Sequence, residues 1–134
     1  MMISDPIADF LVRIKNGYLA DKKMVVAPYS KVKENLGKIL VRQGFIETIR
    51  TELSSDNKKF KNLRVGLKYE DKKPVLTEIK RVSKSGARIY TRKEKIPRVL
   101  GGFGTVIIST PRGLMTGREA KRKGLGGEIV CKMW

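Results

Sequence analysis

The chain has 134 residues, enough for one domain or two small lobes, and its 30 Lys and Arg against 13 Asp and Glu give a formal net charge of +17. Because so large a surplus destabilises a compact protein by self-repulsion, it indicates a polyanionic partner. The chain has no His and a single Cys, which argues against acid–base catalysis and excludes an intrachain disulfide or thiolate cluster, so we expect no enzyme, no cofactor and no metal site.

Membrane and export segments are not predicted. No apolar stretch approaches the ~18 residues that a membrane span needs, and the first residues lack the basic and apolar regions of a secretory signal. One unpaired cysteine is typical of a reducing compartment. We therefore expect a cytoplasmic protein, although an organelle-encoded protein would have the same features.

The N-terminal half predicts the order helix, strand, helix, strand, strand. Ser4 caps a first helix whose apolar residues recur at three- and four-residue spacing, and Ser30 caps a second helix that ends near Gly44. The strands are expected over residues 24–27, 45–53 and 60–69, with a polar hairpin loop over 54–58. This order favours a sheet with helices on one face.

Basic residues of this half allow two interpretations. Arg13 and Lys15 lie off the apolar stripe of the first helix, where they either contact phosphate or are simply solvated. Lys58, Lys59 and Lys61 crowd the predicted hairpin, which favours an electrostatic but nonspecific contact there.

The C-terminal half predicts a mostly β lobe with short helices, so the fold class is α+β. A break in the pattern at residues 71–74 divides the chain into lobes of residues 1–72 and 73–134. The elements expected before the closing segment are strands over 75–82, 88–92 and 105–108, a turn at 84–86 and one helical turn over 96–100. Residues 101–104 are glycine-rich but lack phosphate-loop spacing, so we interpret them as a tight entry into a strand.

The most basic part of the chain contains an aromatic residue between two arginines. Residues 58–98 carry 15 basic and 4 acidic side chains. In an extended strand Arg88, Tyr90 and Arg92 share one face, where guanidinium groups pair with phosphate and the ring stacks on a base. The alternative is a tyrosine that packs between arginine stems on an exposed sheet.

The closing 26 residues are the most informative segment. They predict a strand, a turn, a short helix, a glycine pivot and a last strand, with the Thr116–Glu119 spacing of a capping box. Ser109 and Thr110 end the first of these strands, where small hydroxyls beside flexible backbone can follow the irregular shape of a folded RNA. Cys131 lies in an alternating strand pattern and is expected in the core.

Three segments in order resemble the bacterial-type small-subunit ribosomal protein eight family over the whole chain. They are the opening SDPIADFLVRIKNG, the middle VSKSGARIYTRKEKIPRVLGGFG and the closing STPRGLMTGREAKRKGLGGEIVCKMW. The resemblance implies a structural constituent of the small ribosomal subunit that binds the central domain of its rRNA and helps nucleate assembly. It further implies neighbouring ribosomal proteins, including protein five, and repression of the protein's own operon mRNA.

The resemblance also implies site residues in both lobes. In the C-terminal lobe these are Ser109, Thr110, Gly126, Gly127, Glu128 and Tyr90, with Arg88 and Arg92 beside them. Basic residues such as Arg13 and Lys15 are expected to touch a second RNA segment.

The side-chain chemistry of Pro111 and Glu128 affects what this resemblance implies for each. The family has Ser-Thr-Ser where this chain has Pro111 as the third residue, and proline supplies neither a hydroxyl nor a backbone N–H, so Pro111 is left out of the site. Glu128 would repel RNA unless it accepts hydrogen bonds, so we expect it to accept from a base amino group or to order the loop amides.

Two other functions fit less well. A nonspecific DNA-coating protein would match the charge, but no helix-turn-helix or basic zipper pattern is present. A nuclease or RNA-modifying enzyme would need the histidine or acidic cluster that this sequence lacks.

Overall fold

The computed structural model describes residues 5–55 and 59–134, which form two compact units. One unit spans Pro6–Leu76, and the other consists of Asp5 with Thr77–Trp134. Within the described residues α-helices are combined with sheets whose strand pairs are antiparallel, so the predicted α+β class is confirmed.

The N-terminal unit has the predicted order of elements. These are α1 (Pro6–Leu19), β1 (Met24–Pro28), α2 (Lys31–Arg42), β2 (Thr48–Leu53) and β3 (Lys61–Gly66). The strands form an antiparallel sheet in the order β1-β3-β2, with Ala27 opposite Leu63 and Leu63 opposite Thr51. The fully buried side chains include Phe10, Ile14, Leu36, Leu40, Leu63 and Val65.

The helix signals agree with the structure where it is described. Ser30 Oγ accepts a hydrogen bond from the Lys33 backbone N–H at 3.2 Å, and Gly44 follows α2 with φ +80°, a conformation that glycine adopts without strain. Ser4, the predicted cap of α1, lies outside the described residues, as do residues 56–58 of the predicted hairpin loop.

The two strands of the hairpin are shorter than predicted. The N–H of Phe45 still bonds to the Leu40 carbonyl after α2, so β2 starts only at Thr48. After β3 the chain forms a separate two-residue hairpin, β4 (Tyr69–Glu70) with β5 (Lys73–Pro74).

The C-terminal unit is built on one antiparallel sheet. Its strands are β6 (Ile79–Arg81), β7 (Tyr90–Thr91), β8 (Thr105–Thr110), β9 (Gly113–Thr116) and β10 (Gly127–Met133), with α3 (Gly117–Arg122) before the last. The order is β6-β10-β8-β9, and β7 pairs with β10 as well. One face is covered by a core cluster of Val99, Val106, Ile108, Met115, Ala120 and Ile129.

Three predictions for this unit are wrong in detail. The strand over 75–82 shortens to β6, and the strand over 88–92 shortens to β7, which pairs with β10 instead of returning along β6. The helical turn over 96–100 is replaced by two 3₁₀ turns at Lys93–Lys95 and Leu100–Gly102. Pro97 explains this, because it disfavours helical geometry in the preceding residue, and Ile96 has the extended angles φ −61° and ψ 123°.

The end of the chain follows the prediction. Thr116 Oγ1 accepts from the Glu119 N–H at 3.1 Å and caps α3, while the Glu119 carboxylate pairs with Lys123 Nζ at 3.2 Å. The cap bond of the predicted box is thus present, and the carboxylate makes an ion pair at the far end of the helix. Cys131 is fully buried in β10, as expected.

Candidate nucleic-acid interface

Three strands of the C-terminal unit bring candidate side chains into one row. Tyr90 of β7 is opposite Glu128 of β10, and Glu128 is in turn opposite Ser109 of β8. Directly opposed residues of antiparallel strands project from the same face, with Cβ atoms about 4.5–5.5 Å apart. An aromatic ring, a carboxylate and a hydroxyl therefore lie side by side, and we call Tyr90, Glu128 and Ser109 the recognition row.

The row depends on two glycines where backbones approach closely. A Cβ on Gly127 would lie 2.0 Å from the Ser109 carbonyl oxygen, and a Cβ on Gly126 would lie 2.5 Å from the Thr91 carbonyl oxygen. Distances below about 3 Å do not occur between such atoms, so any larger residue would push β8 or β7 away from β10. Gly126 and Gly127 therefore set the spacing of the recognition row.

Glu128 also holds an arginine at the row. Arg88 Nη1 donates to Glu128 Oε1 at 2.8 Å, in an ion pair whose side chains are 50% and 20% exposed. The hydrogen bond that Arg88 donates to this carboxylate, followed by the carboxylate's charge, raises the pKa of Arg88 above its ordinary value. The carboxylate is thus partly neutralised, and the guanidinium keeps donors for a further acceptor.

The two predicted hydroxyls have different surroundings. Ser109 is half-buried and stands in the recognition row. Thr110 is only 8% exposed, and its hydroxyl donates to the Gly113 carbonyl at 2.9 Å and accepts from the Arg112 N–H at 3.1 Å. Thr110 therefore shapes the turn around Pro111.

The remaining predicted site residues lie elsewhere. Arg92 is exposed and precedes the 3₁₀ turn Lys93–Lys95. Arg13 and Lys15 belong to the N-terminal unit, where Arg13 is bound by Asp9 Oδ2 at 2.8 Å and by the Val26 carbonyl at 3.1 Å. Lys15 is half-buried on the same helix.

Ser83 supports the row, and sequence reasoning missed it. Its side chain is fully buried, donates to the Ile89 carbonyl at 3.1 Å and accepts from the Ile89 N–H at 2.9 Å. These bonds close the loop that carries Arg88 toward Glu128. The sequence signal for this role was a small hydroxyl residue just before the predicted turn at 84–86, because such side chains often bond to nearby backbone groups.

The described residues contain neither a candidate metal site nor a helix that could span a membrane. Across residues 5–55 and 59–134 no group of three or more His, Cys, Asp or Glu side chains could hold a metal ion. Within the same segments no helix is long and apolar enough to cross a membrane.

Comparison with known proteins shows which family the chain belongs to. The family model described as ribosomal protein S8 matches residues 5–134. The chain belongs to the ribosomal protein S8 family. The small ribosomal subunit protein uS8 of Dictyoglomus thermophilum is 50% identical over the full length of both chains, and those of Syntrophomonas wolfei and Clostridium novyi are 47% and 43% identical, also over full length.

Family membership confirms the resemblance found in the sequence. S8 proteins are structural proteins of the ribosome, so the prediction that the chain is not an enzyme is confirmed as well. Family membership does not identify the residues of this chain that contact RNA. The geometry of the recognition row suggests candidates.

Proposed function

We propose that this S8-family protein is a structural constituent of the small ribosomal subunit that binds the central domain of its rRNA and helps nucleate assembly. Its place is then the cytoplasmic ribosome. The recognition row carries the proposal, because it combines an aromatic ring, a hydroxyl and a paired carboxylate on a chain of net charge +17.

The row suits an irregular RNA better than a regular duplex. Sequence-specific RNA recognition relies on unstacked bases, base edges and 2′-hydroxyls, which side chains reach in loops and bulges. Tyr90 is 67% exposed and can stack on a base, and Ser109 can donate to or accept from a 2′-hydroxyl. Glu128 can accept from a base amino group while Arg88 stays on its other side.

The other predicted site residues take different parts in the proposal. Gly126 and Gly127 act by letting the strands of the row approach closely, and Arg92 adds a phosphate contact beside the row. Thr110 acts by holding the turn after Ser109. Arg13 and Lys15 of the N-terminal unit contact a second RNA segment in this proposal. Because Arg13 already forms an ion pair with Asp9, its contact with phosphate is expected to be the weaker of the two.

Hydroxyl-radical footprinting on full-length small-subunit rRNA tests the central-domain assignment. We expect protection in one continuous part of the central domain at nanomolar protein, and we expect Ser109→Ala to remove it. Protection spread evenly over all domains would contradict the proposal, as would protection confined to another domain.

A neighbour in the subunit is also proposed. Ribosomal protein five is the expected contact, and cross-linking of reconstituted subunits should give a product that contains both proteins. A product with other proteins alone would contradict this part.

The same surface is proposed to repress the protein's own operon. A site that recognises RNA by shape also accepts a messenger that folds alike. We therefore expect the operon mRNA to compete with the rRNA hairpin for the protein and to lose binding in the same Ser109→Ala variant. Simultaneous binding of both RNAs would argue against a shared site.

A further inference from the structure

Strand β1 lies at the edge of the N-terminal sheet, and its sequence is suited to pairing. The sheet order is β1-β3-β2, so β3 covers one side of β1 and no strand of the described residues covers the other. The segment Met24–Pro28 reads MVVAP, which carries no charge and has two adjacent β-branched valines. Met24 and Val26 are 39% and 41% exposed. An uncharged apolar edge strand of this kind is a template for pairing with another chain.

Backbone hydrogen bonds show which peptide groups of β1 face outward. The Lys23 carbonyl accepts from the Leu67 N–H at 2.9 Å, and the Tyr29 N–H donates to the Lys61 carbonyl at 3.1 Å. Since the bonding direction alternates along an antiparallel strand, the odd-numbered residues of β1 face β3 and the even-numbered ones face away. The residues whose peptide groups face the open edge are therefore Met24, Val26 and Pro28.

Two side chains from the helices already bond to this edge. Arg13 of α1 donates from Nη1 to the Val26 carbonyl at 3.1 Å. Lys33 of α2 donates from Nζ to the Pro28 carbonyl at 2.7 Å. Pro28 has no backbone N–H to offer to another strand. Two of the outward carbonyls are thus occupied, and one of the outward N–H groups does not exist.

The position of Lys33 is unfavourable for a cation without such a contact. Lys33 is 5% exposed and is the third residue of α2, near the positive end of the helix dipole. Burial lowers the pKa of its amine below the ordinary value. A buried ammonium costs free energy that an apolar side chain of the same length does not. The bond to the Pro28 carbonyl offsets this cost and fixes the ammonium at the edge of the strand.

Asp9 positions the other side chain. Its Oδ2 accepts from Arg13 Nε at 2.8 Å, one turn apart on α1. The N–H groups of a guanidinium lie in one rigid plane, so this bond directs Nη1 to the Val26 carbonyl. Asp9 is therefore a positioning residue for the contact at the edge.

We propose that Arg13, Lys33 and Pro28 form an edge-capping cluster that prevents β1 from pairing with the β1 strand of a second copy of this chain. A second strand needs outward C=O and N–H groups in succession, and the cluster leaves both at Met24 at most. One residue is too short for stable strand pairing. The net charge of +17 also opposes association, but charges more than ~8 Å apart are screened near physiological salt, where the cluster still acts.

Removal of both donors tests the edge-capping cluster. The double variant Arg13→Met with Lys33→Met keeps two long side chains but frees the carbonyls of Val26 and Pro28. We expect the full-length, RNA-free variant to self-associate at least about tenfold more tightly than the parent near physiological salt. Sedimentation velocity over a concentration series measures this association.

The matched control is the double variant Lys31→Met with Lys38→Met. Both lysines are on α2, are largely exposed and pair with Glu34 at 3.4 and 3.9 Å, away from the β1 edge. Their loss lowers the net charge by the same two units as the test variant does. The control should therefore sediment like the parent.

Hydrogen exchange locates the contact in the associated variant. The Val26 amide should exchange at least about tenfold more slowly as protein concentration rises, because the second strand covers it. The Thr51 amide should not change, since it faces the outer edge of β2. Its direction follows from the Ser54 N–H, which donates to the Phe60 carbonyl at 2.8 Å, because Thr51 lies three residues earlier on the alternating strand.

A second variant tests the cluster independently. Lys33→Met with Pro28→Val restores an outward N–H and leaves Arg13 in place, so it should self-associate with the same protection of Val26. Folded variants that stay monomeric like the control would overturn the cluster, as would protection of Thr51 without Val26. Association of the parent through Val26 would also overturn it. Loss of cooperative urea unfolding in both variants would contradict it too, because these side chains would then be required for folding itself.

Discussion

At the scale of single residues, Glu128 is the unusual member of the recognition row. A carboxylate repels phosphate, yet this one is opposite both an exposed tyrosine and a serine that are proposed to touch RNA. The bond of 2.8 Å from Arg88 resolves the conflict, because it offsets the charge and leaves one carboxylate oxygen for other donors. We therefore propose that Glu128 contributes to the choice of RNA rather than to overall affinity.

Glu128→Gln tests this division. The amide removes a negative charge, so binding to scrambled RNA should become slightly tighter, whereas binding to the central-domain hairpin should weaken about tenfold because Arg88 loses its charged partner. Electrophoretic mobility shifts with both RNAs measure the ratio of the two affinities in the parent and in the variant.

Glu52→Gln is the matched control for that change. Glu52 is also in an exposed ion pair, with Arg64 at 3.1 Å, but it lies in the N-terminal unit. Glu52→Gln should change the affinity for the hairpin and for the scrambled RNA by the same factor. Equal behaviour of the two variants would remove Glu128 from the recognition row.

At the scale of elements, the row is a product of strand register. The short strand β7, the start of β10 and the end of β8 meet where Gly126 and Gly127 allow close approach. Register fixes which side chains are neighbours, so a small displacement of one strand separates the row without unfolding the sheet.

Gly127→Ala should destabilise the protein and abolish the preference for the hairpin together. The new Cβ would lie 2.0 Å from the Ser109 carbonyl oxygen, and overpacking of this kind costs about 1–3 kcal/mol. Urea unfolding followed by the fluorescence of Trp134, the single tryptophan, measures the first effect. Mobility shifts measure the second.

Gly44→Ala supplies the comparison. Gly44 has φ +80° and open space around it, so alanine there adds about 1–2 kcal/mol of backbone strain without a clash. Binding to the hairpin should be retained. If both variants lost the hairpin preference equally, the loss would come from stability and not from the spacing of the strands.

Local signals predicted the helices of this fold better than its sheet. Ser30 and Thr116 act as caps at the positions read from the sequence, because a cap depends only on the next few residues. The pairing of β7 with β10 could not be predicted, since it joins residues far apart in the chain. The helical turn over 96–100 was wrong because the constraint that Pro97 places on Ile96 was not applied.

The candidate site was likewise predicted only in part, since its residues were named from the sequence but their contacts were not. The family resemblance named Tyr90, Glu128 and Ser109, but their arrangement as a row follows only from the register. The ion pair between Arg88 and Glu128 was missed, because it joins segments that are distant in sequence.

At the scale of the whole molecule, stability at high pH depends on a buried thiol. Burial raises the pKa of Cys131 from 9.0 to about 12, so the folded protein keeps the thiol neutral where the unfolded chain ionises it. The contribution is complete below about pH 9 and is lost as pH rises through the window up to about 12.

Cys131→Val should reduce this pH dependence. Between pH ~8 and ~10.5 the parent should lose about 2 kcal/mol more of its free energy of unfolding than the variant does, since each pH unit above 9 costs about 1.4 kcal/mol. Urea titrations at both pH values, again with Trp134 fluorescence, give the difference. Parallel losses in the two proteins would show that other groups carry the effect.

Charge and recognition have separate effects at this scale. The net charge of +17 attracts any nucleic acid, and such binding is weak near physiological salt and falls steeply as salt rises. The specific contacts proposed for the recognition row would add an advantage for one RNA that does not depend on charge alone. In DNA complexes this advantage is about 4–10 kcal/mol.

The most direct test is therefore binding of the parent protein to a central-domain rRNA hairpin and to a scrambled RNA of equal length, across a salt series. We predict parallel salt slopes and a preference for the hairpin of about a hundredfold or more that persists near physiological salt. Equal affinities that collapse together as salt rises would contradict specific RNA recognition and would leave only a basic coating protein.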